Sequence, residues 1–179
     1  MTKLAGLAAI GALFVAYAGG AQQTAVPAAG ANPLDVVPEK MPFDVPYGAP
    51  IALERAMVAI NAAVAEAKKR DWKLNVAVVD SGGNLVAFQH MDGAQLASIQ
   101  ISEHKARAAV TFRRETKAWE SAIQTSGFNY VMTLDGVIAS RGGIPLVEGG
   151  RMIGGIGCSG GTGSQDEAAC KAGVAALQK

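Results

Sequence analysis

Paired glycines cut the last third of this chain into short lengths, and this punctuation limits the fold more than any other feature. Arg141-Gly142-Gly143 and Glu148-Gly149-Gly150 read as turns. They separate three short runs, Val137–Ser140, Ile144–Val147 and Met152–Cys158, that read as strands joined by hairpins. Ser159–Gly163 follows as a glycine loop. Ser164 with Glu167 three residues on predicts a capping box, opening a final helix to about Leu177.

The preceding half carries two kinds of period. Ile51–Arg70 is helical, with Leu53, Met57, Ile60 and Val64 on one stripe and Lys68, Lys69 and Arg70 at the negative end of the helix dipole. Pro50 stands where a helix tolerates a missing N–H. Leu74–Asp80 and Leu85–Met91 read as strands around the Ser81–Asn84 turn, a second hairpin. Leu96–Arg113 is a helix with Leu96, Ile99, Ala106 and Val110 on one face, and Glu115–Gln124 is a shorter one. The order is helix, two strands, two helices, three strands, helix. Consecutive hairpins imply an antiparallel sheet covered by helices, an α+β domain of three layers. A length of 179 residues with 50% hydrophobic content fits one such domain and excludes a disordered chain.

The beginning of the chain reads differently. Lys3, an apolar run from Leu4 to Ala18, and small residues at Ala16-Tyr17-Ala18 and Gly20-Ala21 have the three parts of a secretory signal. The competing reading, a retained membrane anchor, would need roughly 20 apolar residues. Residues 1–21 are therefore expected to be a signal peptide, with the mature chain starting near Gly19 or Gln22, and the protein to be periplasmic or secreted. Pro27, Pro33, Pro38, Pro42 and Pro46 make residues 22–47 a Pro/Ala-rich linker, leaving 48–179 as the folded domain. Formal charge is +1, and removal of Lys3 makes it zero, which argues against a nucleic-acid partner. No segment of the mature chain is long and apolar enough to span a bilayer. In an oxidising compartment Cys158 and Cys170 can pair across the glycine loop; the other reading is two buried thiols.

Few side chains suggest chemistry. The loop at Ser159, Gly160 and Gly161 precedes a helix and offers backbone N–H groups to a small organic acid. It is neither a Walker loop nor a good dinucleotide fingerprint, and a plain strand-to-helix turn is the simpler reading. His90 extends the alternating Val86, Phe88 face and is the first candidate for a haem axial ligand. His104 is the second, with Lys105 or Arg107 able to pair with a propionate. Two histidines without metal spacing argue against a metal site of the protein's own, and no catalytic set can be named. Asp80, Lys105, Arg107, Arg141 and Glu167 are further polar residues that could meet in one pocket.

Taken in order, several stretches resemble the GlcG/HbpS family, which includes the C-terminal domain of PduO-type proteins. They are Val76–Leu85, Met91–Ala94, Lys105-Ala106, Gly142–Leu146, Ile153–Gly157, Ser159–Gly161 and Gln165–Glu167. The resemblance implies a profilin-like domain with a five-stranded antiparallel sheet flanked by helices. It also implies homo-oligomers, often octamers, and for some members non-covalent haem binding or iron handling. It assigns neither His90 nor His104. Cys158 stands where the family usually carries an aliphatic residue, which fits a disulfide particular to this lineage. The alternative is a non-haem accessory or scaffold protein that takes a small organic acid near the glycine loop without catalysis.

Overall fold

The computed structural model describes residues 35–41 and 43–178. The expected signal segment and the first part of the linker lie outside them. Within Lys40–Lys179 the elements are α1 (Leu53–Lys69), β1 (Asn75–Asp80), β2 (Leu85–His90), α2 (Ala97–Thr111), α3 (Lys117–Gln124), β3 (Gly143–Glu148), β4 (Arg151–Ser159) and α4 (Gly163–Ala176). The sheet is antiparallel throughout, in the order β2-β1-β4-β3.

Side chains of β1 alternate between the two faces. Val76 and Val78 join Ile144, Leu146, Ile156 and Cys158 beneath α1 and α4. Ala77 and Val79 join Ala106 and Val110 beneath α2. This is the expected α+β architecture with helices on both faces, but the described sheet has four strands where five were expected. The missing one is Val137–Ser140. Its backbone groups are used off the sheet: Val137 N–H donates to Leu134 O (3.3 Å), and Ser140 O accepts from the Thr116 hydroxyl (2.7 Å). Gly142 then turns the chain at φ +113°, and its carbonyl accepts from Cys158 N–H (2.9 Å), so pairing with β4 starts only there.

Two contacts demand glycine because backbone meets backbone. A Cβ on Gly157 would stand 2.0 Å from Ser102 O, and one on Gly155 would stand 2.6 Å from Ala106 O. Helix α2 therefore lies directly on the backbone of β4. On the other face, α1 meets α4 through an alanine stripe, Ala56, Ala59, Ala63 and Ala67. The expected stripe is thus rotated: Ile60 and Val64 are buried, whereas Leu53 and Met57 are exposed. Leu96, expected on the buried face of α2, is likewise exposed.

The last linker residues are held to the domain. Strand β1 ends opposite Gly154. Beyond that point Met152 N–H donates to Pro46 O, and Gly48 N–H donates to Met152 O (both 2.8 Å). The Tyr47 hydroxyl reaches the carbonyls of Val110 and Thr111 at the end of α2 (both 3.1 Å).

Cys158 and Cys170 form a disulfide, with Cα atoms 5.7 Å apart, joining β4 to α4 within the buried cluster. Closing a loop of this length removes unfolded-state entropy equivalent to about 3 kcal/mol. Cys170→Ala is expected to lower unfolding free energy by about that amount in urea titrations, with intact protein losing the same amount under strong reductant. Equal stability with and without the bond would contradict this.

Candidate functional site

Three of the polar candidates, Lys105, Arg141 and Glu167, gather around the start of α4. Lys105 is 1% exposed, and its Nζ donates to Asp166 Oδ2 (2.8 Å) and Cys158 O (3.2 Å). Asp166 Oδ1 accepts from Gly161 N–H (3.0 Å). The glycine loop does bind an anion through its backbone, and that anion is the chain's own carboxylate. Burial pushes the Asp166 carboxyl above its usual range, and Lys105 pulls it back. Lys105 is thereby engaged inside the protein rather than offered to a propionate.

The helix after the loop is capped two residues earlier than expected. Thr162, not Ser164, is the N-cap, and it exchanges hydrogen bonds with Gln165 rather than with Glu167. Glu167 is instead drawn sideways to Lys117 (3.3 Å), Lys171 (2.5 Å) and Arg141 (3.4 Å). Arg141 also clasps Glu120, from Nη2 (2.6 Å) and Nε (2.8 Å). The Arg141 hydrogen bonds hold the Glu120 carboxyl below its usual value.

Of the five residues that could have met, Arg141 and Glu167 pair directly and Lys105 lies beside them through Asp166. Asp80 and Arg107 sit elsewhere, at the β1–β2 turn. Asp80 accepts from Gly82 N–H and Asn84 N–H, and Arg107 Nε–H donates to Gly83 O (3.1 Å). The apolar positions of β2 prepare His90 only in part. Phe88 packs with Ala77 on the α2 side, but His90, next on that face, is exposed.

The two histidines line separate clefts. His90 shares one of about 330 Å³ with Lys68, Lys73 and Met91. His104 shares another of about 440 Å³ with Arg107 and Gly136. Their hydrogen bonds set them apart. Asn75, fully buried opposite His90 on β1, donates Nδ2–H to Gln95 O (3.2 Å). Its Oδ1 therefore faces His90 Nδ1 at 2.6 Å as an acceptor. The neutral ring must carry its proton on Nδ1, leaving the lone pair on Nε2 at the tip. His104 is the reverse: Nε2–H donates to Gly136 O (3.1 Å), so the lone pair lies on Nδ1 beside the Cβ. Asn75, Lys68, Lys73 and the buried role of Asp166 escaped sequence reasoning. A polar residue breaking the apolar run Leu74–Val79 was the one available signal, and it marks Asn75.

These features define an α+β sandwich with an internally satisfied polar cluster and a histidine presented at one end of the sheet. The chain belongs to the HbpS-like family, described as haem degrading protein HbpS-like, whose model matches residues 51–175. The motif resemblance is borne out. Protein GlcG of Escherichia coli K12 is 38% identical over 109 residues, 61% of this chain and 81% of GlcG. A structure of PduOC in complex with haem is 27% identical with a TM-score of 0.64, covering 71% of this chain and 94% of that one. A double mutant of HbpS from Streptomyces reticuli is 28% identical with a TM-score of 0.66, covering 78% and 95%. No helix among the described residues is long and apolar enough to cross a membrane.

Two outcomes follow from the polar cluster. Lys105→Met leaves a buried, uncompensated carboxylate and is expected to cost about 3–5 kcal/mol in chemical denaturation. Adding Asp166→Leu should recover most of that loss, since the pair's desolvation cost goes with it.

The second outcome concerns acid. Glu120 has a folded pKa below its ordinary 4.5, so the unfolded chain binds more protons between the two values. Its contribution is present above 4.5 and fades as pH falls through the folded value. Asp166, shifted upward, acts with the opposite sign. Glu120→Gln should therefore flatten the loss of thermal stability on acidification below about pH 4.5. An unchanged slope would remove Glu120 from that account.

Proposed function

We propose that this chain is an exported, homo-oligomeric member of its family that binds haem non-covalently, with His90 as the axial ligand. The orientation of His90 carries the reading: its Nδ1–H is fixed on a buried amide and its Nε2 lone pair is turned outward. An acceptor behind the ring, as Asn75 Oδ1 is here, sets the tautomer and strengthens the donor atom on the far side. Lys68 in the same cleft supplies a cation for a propionate, Lys73 beside it is shared with Asp71, Asp92 is the one carboxylate of the lining, and Met91 supplies apolar surface. Haem, when bound, would bring its iron as the redox or ligand-binding centre; the residues here would hold and orient it.

Three further observations support the reading. The family model carries haem in its description, and PduOC, similar over most of its length, has been solved with haem. Residues 1–21 have the composition of a signal peptide, which would place the mature protein in the periplasm or outside the cell. Leu96, Met132 and Tyr130 are large apolar side chains left exposed, and a second copy of the chain would cover such surface. The alternative of a small acid at Ser159–Gly161 is disfavoured because Asp166 already takes the Gly161 N–H.

A haemin titration followed in the Soret band tests the proposal. Wild type should saturate at one haem per chain. His90→Ala should abolish that shift or weaken it strongly, and Asn75→Ala should weaken it by about 10–100-fold through the lost tautomer control. His104→Ala should leave it intact. No saturable shift in wild type would sink the haem reading. A shift surviving in both histidine variants would keep haem and remove the histidine ligand.

A further inference from the structure

Helix α2 turns a second stripe away from the sheet. Gln100, Glu103, His104, Arg107 and Thr111 follow one helix face, and with Gly136 they line the cleft of about 440 Å³. That volume is within the usual range of small-molecule sites, about 300–1,000 Å³.

The charges in this cleft are one anion and one cation a turn apart. Glu103 and Arg107 have the i, i+4 spacing of a helical ion pair. Neither takes part in an ion pair among the described residues. Arg107 is nevertheless anchored, because its Nε–H donates to Gly83 O (3.1 Å). That bond holds the guanidinium while leaving its two Nη groups to donate side by side, the geometry that suits a carboxylate. Two further polar groups of the lining are fixed too. The Thr111 hydroxyl donates to Arg107 O (2.9 Å), and His104 Nε2–H donates to Gly136 O (3.1 Å), which leaves the His104 Nδ1 lone pair as an acceptor.

We infer that this cleft binds an amino-acid-sized zwitterion, its carboxylate on the Arg107 fork and its ammonium on the Glu103 carboxylate. The lining has opposite poles and, with His104 neutral, no net charge, so a ligand of the same kind neutralises both poles at once. A dianionic porphyrin fits poorly, because it would set a propionate against Glu103. The His90 cleft has two lysines, Lys68 and Lys73, to one carboxylate, Asp92, and so an excess of positive charge. The inference stands independently of haem binding.

Calorimetric titration of the full-length mature protein with each proteinogenic amino acid in turn tests it. At least one should bind saturably. Its N-acetyl derivative and its carboxamide should each bind at least about tenfold more weakly, the loss expected when a charge-assisted hydrogen bond is removed. Glu103→Gln should show the same loss with unchanged thermal unfolding, and Arg107→Lys should show at least that loss. Glu103 has no ion-pair partner to lose, and Lys keeps the positive charge while removing the fork. Absence of saturable heat with every amino acid overturns the inference. So does an N-acetyl derivative that binds as well as its parent, or a Glu103→Gln variant with undiminished affinity.

Discussion

The close seat of α2 on the sheet governs the rest of this structure. Gly155 and Gly157 on β4, with Gly143 on β3, present bare backbone to α2, and a Cβ at Gly143 would come within 2.3 Å of Lys105 O. A helix lowered this far places Lys105 below the surface rather than on it. A buried ammonium is tolerated only with a partner, so Asp166 must enter from the start of α4. Asp166 in turn orders the glycine loop through Gly161 N–H, and the disulfide ties the same strand to the same helix. One packing constraint thus propagates from sheet to helix to loop.

The polar residues divide by what they face. Around α4 the charges are consumed internally: Glu167 meets three cations, and Glu120 is wrapped by Arg141. This part of the surface has the character of a clamp rather than a receptor. The two histidine clefts differ, because in each a buried or backbone group orients an imidazole without exhausting it. Their charged linings differ in balance, two lysines and Asp92 beside His90 and one pair, Glu103 with Arg107, beside His104.

Some of this was legible from residue order. Glycine pairs located the β3–β4 hairpin, and the Ser81–Asn84 turn located the β1–β2 hairpin, because a tight turn is a local event set by a few residues. The family motifs were legible for the same reason. The expected fifth strand failed because Ser140 gives its carbonyl to the Thr116 hydroxyl, a partner remote in sequence and off the sheet. The stripe on α1 was misplaced because size was taken as the sign of burial. Where two helices approach closely, alanine and Gly173 are buried and Leu53 is left outside.

What the sequence determined by itself was therefore the local part. It set where strands turn, where helices run, and that Cys158 and Cys170 flank one loop. The tertiary structure decided which polar residues are spoken for. Lys105, a candidate ligand-binding cation by position, is buried against Asp166, while Asn75, unremarked in the strand, turns out to orient His90. The physical reason is that burial and tautomer depend on partners brought together across the sheet, and no short stretch of chain contains both members of such a pair.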